Sequence, residues 1–460
     1  MNILIVTLGS RGDVQPYVAL GKGLKEAGHQ VTVCTSAVFQ SFITNHGLNY
    51  GYMNNELIQL IDSDAGREAL ENTNNLWGTI RTTIKLFQRV KPIFRQTLHD
   101  IWQTAQAVNP DVIILASKAA VLAESIADKL EIPLLMSMPF PQFMPSAQIP
   151  SLGFPDLKIG AWYNRLTYRF AHGMVELYSS IPKEFRHQVL ELSPKPQHLG
   201  ILHRADGSPI PLLHCYSEQV VPSPTDWPDS AYVNGYWFLN QPDEWQPSAE
   251  LSQFLAAGEA PIYIGFGSMA GRNPQRLAKI AIEALQATNQ RGILATGWGG
   301  LQVSHLPETI FKLDQAPHDW LFPQVSAVVH HGGAGTTAAG LRAGCPTIIC
   351  PFFGDQPFWG KRVKALGVGS KPIPQKQLTA KKLAQAIREV TSNSSLRQQA
   401  EKLGEKIRAE DGIRNAIAII ETASRRRGDG ERRKIGSKGD IPIPNSQFPI
   451  PNSQFSILNS

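Results

Sequence analysis

The 460-residue chain lacks the features that mark membrane-spanning, disulfide-rich and collagen-like proteins. No apolar run approaches the ~18 residues that a membrane-spanning helix needs. The four cysteines stand far apart and form no CxxC pair, so they predict reduced, buried thiols of a cytoplasmic protein rather than a disulfide framework. The 38 glycines and 33 prolines follow no repeat, which excludes collagen.

An excess of charge is also missing from most of the chain. The 44 basic and 38 acidic residues leave a formal net charge of +6. Residues 425–440 hold seven basic and three acidic side chains and supply +4 of it, so the rest of the chain carries only +2. A nearly neutral body offers no electrostatic footprint for nucleic acid, and we therefore predict no nucleic-acid partner.

Apolar residues, at 42%, are plentiful enough for large cores, and the length exceeds what one core usually holds. The first half alternates strands and helices, beginning with strand Ile3–Thr7 and helix Val14–Ala27. No basic residue precedes that first strand, so it is not expected to be a signal peptide. Strands Val112–Ala116 and Leu134–Met138 flank a predicted helix, Lys118–Leu130. This alternation predicts a parallel sheet covered on both faces.

The same alternation restarts after residue 247, with predicted strands at Pro261–Gly265, Arg291–Thr296, Ala327–His331 and Thr347–Cys350. We therefore predict an α/β protein with two Rossmann-like domains whose parallel sheets face each other across a cleft. The predicted organisation is a first domain at 1–221, a Pro-rich linker at 222–247, a second domain at 248–400, a closing helix at 401–424 and a tail at 425–460. Helical patterns cover 380–391 and 395–424.

The tail is predicted to be disordered, because PIPNSQF occurs at 442–448 and again, without change, at 449–455. Between the strands of the first half, Leu76–Ala105 has the pattern of an amphipathic helix, which we expect to kink or break at Pro92.

Three glycine-bearing turns stand where strands end and helices begin, at 9–13, 265–268 and 332–337. Glycine lets the backbone approach a ligand closely, and the helix that follows presents free N–H groups to an anion. These turns predict phosphate binding. A dehydrogenase is disfavoured, because no acidic residue stands where a dinucleotide ribose would be held, and no turn carries the Gly-Lys-Ser/Thr of a nucleoside triphosphatase.

The run from Asp319 to Gln356, centred on His330-His331-Gly332-Gly333-Ala334-Gly335-Thr336-Thr337, closely resembles the donor-binding signature of UDP-glycosyltransferases. The opening Gly9-Ser10-Arg11-Gly12-Asp13 is similar to the branch that contains sterol 3-beta-glucosyltransferases and the glycosyltransferases of antibiotic aglycones. The resemblance covers roughly residues 1–420. It implies a GT-B fold, with the acceptor on the first domain, the UDP-sugar on the second, and a last helix that crosses back.

Carried over position by position, the resemblance also implies the donor contacts. His331 and the helix end at Gly333–Thr336 would hold the two phosphates, and Asp355 with Gln356 would hold sugar hydroxyls. The full set is Ser268, Ala316, His318, His331, Gly333, Ala334, Gly335, Thr336, Asp355 and Gln356. No Asp-x-Asp pair lies in this signature, so we expect no metal and no cofactor, the UDP-sugar being a co-substrate. Gln315 and Ala339 depart from plant-type relatives, which leaves the choice of nucleotide open.

In the sterol and antibiotic branch the general base stands at the position of Asp13, and the resemblance implies inversion at the anomeric carbon. The alternative is that Asp13 only caps the helix that starts at Val14, and both roles are compatible.

Acceptor contacts are expected from Ser10, Trp77, Phe87 and Phe140, lining a site for a hydroxylated, sterol-like or other hydrophobic molecule. The basic residues Arg81, Lys85, Arg89 and Arg95, with the aromatic residues Trp162, Tyr163, Tyr168 and Phe170, could also touch an anionic membrane from the cytoplasmic side. The alternative is an ordinary core face with a solvated basic stripe. A catalytically silent protein that binds sugar nucleotides or lipids is the alternative to an enzyme.

Overall fold

The computed structural model describes residues 1–62, 76–116, 119–176, 179–196, 198–240, 245–267, 274–296 and 306–432. Within these ranges, side chains are described except at 61–62, 76–89, 120–121 and 426–432.

Twelve strands in the described residues form two sheets in which every strand pair is parallel. The first sheet has the order β3-β2-β1-β4-β5-β6-β7 and the second β10-β9-β8-β11-β12. The strands are β1 Asn2–Val6, β2 Gln30–Ser36, β3 Asn49–Met53, β4 Val112–Ala116, β5 Leu134–Met138, β6 Leu212–His214, β7 Ala231–Val233, β8 Ile262–Gly265, β9 Gly292–Ala295, β10 Ile310–Leu313, β11 Ala327–His330 and β12 Thr347–Ile349.

Helices connect and cover the strands in both halves. They are α1 Arg11–Glu26, α2 Gln40–Thr44, α3 Glu56–Asp62, α4 Leu76–Val108, α5 Ala119–Leu122, α6 Glu124–Lys129, α7 Ala161–Glu176, α8 Ser180–Gln188, α9 Ala249–Ala256, α10 Pro274–Ala287, α11 His318–Leu321, α12 Ala334–Arg342, α13 Gln356–Ala365, α14 Ala380–Ser392, α15 Ser394–Arg408 and α16 Gly412–Arg432. None of the described helices is long and apolar enough to cross a bilayer.

The first sheet is buried on both faces, as its continuous apolar strands predict. Ile3 and Ile5 point to the face covered by α1 and α16, whereas Leu4 and Val6 point to the face covered by α4. Successive residues of a strand face opposite ways, so a strand buried on both sides must be apolar at every position. The predicted pair of parallel, Rossmann-like sheets is thus confirmed.

The two halves meet in a shared apolar cluster. Tyr216 and Tyr236 from the first half pack with Ala338, Leu341 and Trp359 from the second. The rings of Tyr216 and Trp359 lie 6.4 Å apart between centroids, edge to face. The close-packed cluster holds the carboxyl-end loops of both sheets together at one side of the molecule.

Three predicted helices differ in the structure. The helix predicted from Val14 starts three residues earlier, at Arg11, because Ser10 is its N-cap. The helix expected to kink or break at Pro92 does not break, because it is continuous from Leu76 to Val108. The turns after the proline are held by Leu98, which is fully buried. The predicted helix 118–130 is two short helices, since Ala123 leaves helical geometry at φ −107° and ψ 10°.

The predicted helical stretch 395–424 is interrupted between α15 and α16. At this interruption the chain contacts the first half: Ser217 Oγ donates a hydrogen bond to Glu410 Oε1 at 2.7 Å. Helix α15 packs on α12 of the second half, and α16 returns to α1 of the first. The crossing helix therefore begins at Gly412 rather than at 401.

The segment predicted as the linker 222–247 also contributes to the first domain. Strand β7 pairs with β6 in the first sheet. Four residues later Trp237 is buried, and its Nε1 donates to the Gly412 carbonyl at 3.2 Å. At the other end, α16 extends to Arg432, inside the predicted tail, and residues 433–460 lie outside the described part of the chain.

Substituting Gly412 tests how closely the crossing helix must approach the first half. A Cβ at this position would lie 2.5 Å from the Tyr236 carbonyl oxygen and 2.6 Å from the Gly235 carbonyl carbon. Both are backbone atoms, so Gly412→Ala should lower the free energy of unfolding by about 1–3 kcal/mol, the usual cost of overpacking. Denaturant unfolding measures this loss.

Gly173→Ala is the matched control, because this glycine lies inside α7 and a Cβ there meets no atom within 4 Å. It should be neutral or stabilising by up to ~1 kcal/mol. Equal stability of the two variants would show that α16 does not depend on the close approach.

Candidate active site

The first glycine turn holds the carboxylate of Asp13 in place. Ser10 caps α1, and both its N–H, at 2.8 Å, and its hydroxyl, at 3.1 Å, donate to Asp13 Oδ2. Gly9 has φ +144°, and a Cβ there would stand 2.2 Å from Asp13 Oδ2. Glycine is therefore required at position 9, because any side chain would displace the carboxylate.

This geometry refines the two roles predicted for Asp13. The N-cap is Ser10, and Asp13 is its partner at the third helical position, an arrangement known as a capping box. Only Oδ2 is used by this cap. Among the described residues Oδ1 accepts no hydrogen bond, and the side chain is partly exposed. The cap and the predicted proton transfer would therefore use different oxygens of one carboxylate.

The second and third glycine turns enclose the imidazole of His331. They follow the neighbouring strands β8 and β11. A Cβ on Gly333 would lie 2.6 Å from His331 Nε2, and one on Gly267 would lie 3.8 Å from its Cε1. The ring therefore lies between two glycines, Gly267 and Gly333, that carry no side chain.

Burial sets the charge of this imidazole. It lowers the pKa of His331 to about 4, with a further contribution from His318, so the ring is neutral at pH 7. Its Nδ1 atom is enclosed and has no hydrogen-bond partner in the part of the chain that the structure describes. His331 is thus a neutral imidazole that could meet a ligand only at Nε2, because Nδ1 is enclosed.

Helix α12 starts beside His331 and presents free amides. Gly333 is its N-cap, and the first intrahelical bond runs from Thr337 N–H to the Gly333 carbonyl at 2.9 Å. The N–H groups of residues 334–336 precede that bond and have no acceptor within the helix. A Cβ added to Gly335 would meet no atom within 4 Å, so this end of the helix is open to an anion.

Arg11 brings a cation from the first half to this region. Burial lowers the pKa of His318 to about 4; Asp319 partly opposes this shift and the Arg11 guanidinium adds to it. The His318 ring stacks on Phe322 with 4.3 Å between centroids. Arg11 follows Ser10 in the first glycine turn. The same motif that indicated Asp13 therefore also indicated that Arg11 lies near the site.

Asp355 and Gln356 are brought to the same edge, after β12, and both have structural partners. Gln356 is buried, and its Oε1 accepts from the N–H groups of Phe352 at 2.8 Å and Phe353 at 3.3 Å. Asp355 is the N-cap of α13, and its Oδ2 accepts from Trp359 Nε1 at 2.8 Å. The Gln356 carboxamide oxygen thus shapes the loop, and sugar contact by either side chain stays a prediction.

The remaining predicted residues are distributed as follows. Ala316 is half-buried before α11, Ser10 is exposed, and Phe140 packs on the cluster between the two halves. Trp77 and Phe87 lie on α4, but their side chains, like the whole of Ser268, lie outside the described part. In the described ranges, no three His, Cys, Asp or Glu side chains are grouped as metal ligands would be.

Comparison with known proteins supplies the family. Residues 3–149 match the model of the glycosyltransferase family 28 N-terminal domain, and residues 293–419 match the erythromycin biosynthesis protein CIII-like C-terminal domain. A sterol 3-beta-glucosyltransferase of Arabidopsis thaliana is 36% identical over 91% of this chain. The chain belongs to the GT-B glycosyltransferases. Within them it is similar to sterol 3-beta-glucosyltransferases.

Other comparisons agree with this placement. A sterol 3-beta-glucosyltransferase of Aspergillus clavatus is 35% identical over 97% of this chain. The chain spans 64% of the plant protein and 32% of the fungal one. Among solved structures, the calicheamicin glycosyltransferase CalG4 superposes with a TM-score of 0.65 at 16% identity, covering 92% of this chain and 98% of that one. SnogD from Streptomyces nogalater gives 0.64 at 17%, covering 92% and 99%. These structures support the GT-B fold.

Replacing His331 tests the anion site of this GT-B chain. His331→Ala should weaken binding of a nucleoside diphosphate such as UDP by about tenfold or more, because a hydrogen bond to a charged group is worth ~1.5–3 kcal/mol. Titration calorimetry with UDP measures the change. His187→Ala, an exposed histidine on α8, should bind UDP like the unmodified protein. Undiminished UDP affinity in His331→Ala would show that this imidazole does not contact the nucleotide.

Proposed function

We propose that the protein transfers a hexose, glucose in the first instance, from a UDP-sugar to the hydroxyl of a sterol-like lipid, with inversion and without a metal. The observation that supports the proposal is the contact between α1, which carries Asp13, and α12, which begins beside His331. Asp13 belongs to the first half, whereas His331 and the start of α12 belong to the second. The names of the sterol glucosyltransferases among its relatives support the acceptor class.

On the acceptor side, Asp13 acts as the general base. Its Oδ1 accepts the proton of the acceptor hydroxyl while that oxygen attacks the anomeric carbon. The carboxylate is kept in position through Oδ2 by the Ser10 amide and hydroxyl, so its orientation does not depend on the substrate. Attack from the side of Asp13, opposite the departing diphosphate, inverts the anomeric configuration.

On the donor side, neutral hydrogen-bond donors stabilise the departing diphosphate. His331 supplies an imidazole N–H, and residues 334–336 supply helix amides whose dipole is worth up to ~2 kcal/mol per favourable anion contact. The donors are in place before the reaction begins, so they stabilise developing charge at little reorganisation cost. These groups give the diphosphate a set of partners that needs no divalent cation, and metal-independent transfer is part of the proposal.

The nucleotide is the least constrained element of the proposal. A spinosyn rhamnosyltransferase of the same fold, 18% identical with a TM-score of 0.58, has been solved with thymidine diphosphate. UDP is proposed for this chain because the donor signature at Asp319–Gln356 is similar to that of UDP-dependent enzymes. We place the protein in the cytoplasm, acting at the inner face of a membrane where its acceptor resides.

A panel of donors and acceptors tests the proposal. The purified full chain is incubated with UDP-glucose or TDP-glucose and a series of 3-hydroxysterols, with and without EDTA, and products are identified by mass. We expect a glucoside from UDP-glucose that EDTA does not suppress, and an anomeric proton coupling that reports inversion. Nucleotide binding without either transfer or donor hydrolysis would instead support the alternative, a catalytically silent binding protein.

The substitution Asp13→Asn distinguishes the general-base role of this residue from its role in capping α1. Asparagine keeps a carbonyl oxygen for the Ser10 amide but cannot take a proton, so turnover should fall by ~10²-fold or more while folding and UDP affinity stay nearly intact. Steady-state kinetics and UDP titration measure the two quantities.

Asp111→Asn is the matched control, because this carboxylate also accepts a backbone N–H, from Asn2 at 2.7 Å, but precedes β4 at the opposite end of the sheet. Its turnover should be unchanged. Unchanged turnover in Asp13→Asn as well would reduce Asp13 to a capping residue.

A further inference from the structure

The outer face of α7 carries a stripe of large apolar side chains. Trp162, Leu166, Phe170 and Met174 are spaced four residues apart and are 63%, 50%, 59% and 39% exposed. Residues at this spacing lie one above another on a helix. The four side chains therefore form one continuous apolar stripe on the surface of the first domain.

The inner face of the same helix is polar. Asn164 Nδ2 donates to the Ala147 carbonyl at 2.8 Å, and Thr167 Oγ1 accepts from Ser151 N–H at 2.8 Å. Tyr168, which follows Thr167, is 2% exposed. A surface helix of a soluble domain normally turns its apolar side inward. In α7 the order is reversed, so its apolar stripe is not explained by the core of the protein.

The loop before α7 extends the stripe into a patch. Leu157 and Ile159 are 51% and 49% exposed, and the ring of Phe154 lies edge-on to Phe170 with 5.6 Å between centroids. A contiguous group of this kind differs from the scattered apolar residues of an ordinary surface and marks an interaction site. We call it the α7 patch, and its exposed members are Leu157, Ile159, Trp162, Leu166, Phe170 and Met174.

Positive charge borders the α7 patch. Arg165 and Arg169 are exposed on the same side of the helix, and neither has a carboxylate partner among the residues that the structure describes. The other charges nearby are neutralised, since Lys158 pairs with Asp156 at 2.8 Å and Glu176 pairs with a lysine of α8. The free charge at the patch is therefore cationic.

We propose that the α7 patch docks on an anionic phospholipid surface, with α7 lying in the plane of the headgroups. Apolar side chains would enter the acyl boundary, Trp162 would sit at the interface, and the two guanidinium groups would meet lipid phosphates. A second copy of the chain is a poorer occupant, because two such faces would bring four unpartnered guanidinium groups together.

This assignment corrects the membrane contact expected from sequence. Arg95 is committed to Glu184, with its Nη2 2.6 Å from Oε1, and Tyr168 is buried under the helix. The side chains of Arg81, Lys85 and Arg89 lie outside the described part. Of the residues expected at the membrane, Trp162 and Phe170 lie in the α7 patch, whereas Tyr163 is half-buried and its hydroxyl donates to the Pro155 carbonyl at 2.9 Å. The structure adds Leu166, Met174 and the two arginines.

The patch adjoins the acceptor side of the cleft. Helix α7 holds the loop after β5 through Ala147 and Ser151, and His172 Nε2 lies 2.9 Å from the Phe143 carbonyl. The same loop carries Phe140 at the cluster between the two halves. A lipid leaving the bilayer at α7 would therefore enter beside the proposed acceptor site. Docking itself does not rest on the proposed reaction and is measured without it.

Vesicle flotation of the full chain tests the proposal, using phosphatidylcholine vesicles with or without about a third phosphatidylglycerol. The double variant Trp162→Ala/Phe170→Ala should partition onto anionic vesicles at least about tenfold less, because two large apolar side chains are lost. Arg165→Gln/Arg169→Gln should lose about fivefold per charge on anionic vesicles at low salt. On pure phosphatidylcholine the arginine variant should behave like the unmodified protein.

Val38→Ala/Tyr52→Ala is the matched control, since both side chains are 55% exposed elsewhere on the first domain, and its vesicle binding should not change. The basic segment after residue 424 is present in every variant, so differences report the α7 patch. Transfer to a detergent-solubilised acceptor, assayed in parallel, shows separately whether the proposed reaction occurs. Unreduced vesicle binding by Trp162→Ala/Phe170→Ala would overturn the proposal. So would a dimeric unmodified chain that becomes monomeric when these two residues are replaced.

Discussion

The return of the chain from the second sheet to the first is the constraint on which the site depends. Two parallel sheets place ligands at their carboxyl ends, but a reaction between two substrates requires both ends to meet in one cleft. The return is made where Gly412 packs on the backbone of Gly235 and Tyr236, and Trp237 donates to the Gly412 carbonyl. Without it, the apolar cluster around Tyr216 and Trp359 would be left to hold the half that carries Asp13 against the half that carries His331.

The site itself is built from backbone and from side chains that other residues hold in place. Asp13 is fixed by Ser10 and given room by Gly9, and His331 lies between Gly267 and Gly333. The glycines at these turns leave room for the proposed donor. Burial keeps the imidazole neutral, so in the proposed complex the charge of the diphosphate would meet hydrogen-bond donors and helix amides rather than a titrating cation.

Sequence reasoning succeeded where one local signal decides the structure. Strand β4 is an unbroken apolar run, and the glycine turns have a residue pattern of their own. It failed where tertiary contact decides: β6 has only three residues and forms because β5 offers it an edge. The bond from Phe352 N–H to the Gln356 carboxamide oxygen is likewise a tertiary feature that no local pattern reveals, and the sugar contact predicted for Gln356 stays a prediction. The exposed stripe of α7 has the same spacing as a core stripe, so only the fold distinguishes them.

Hydrogen exchange of the full chain, with and without UDP, tests most directly that the donor diphosphate sits between His331 and the start of α12. Backbone amides of residues 332–337 should exchange more slowly when UDP is bound, because those that precede the first intrahelical bond gain an acceptor. The amides of β4, in the core of the other half, should not respond. Protection confined to another part of the chain, or none at saturating UDP, would contradict the account.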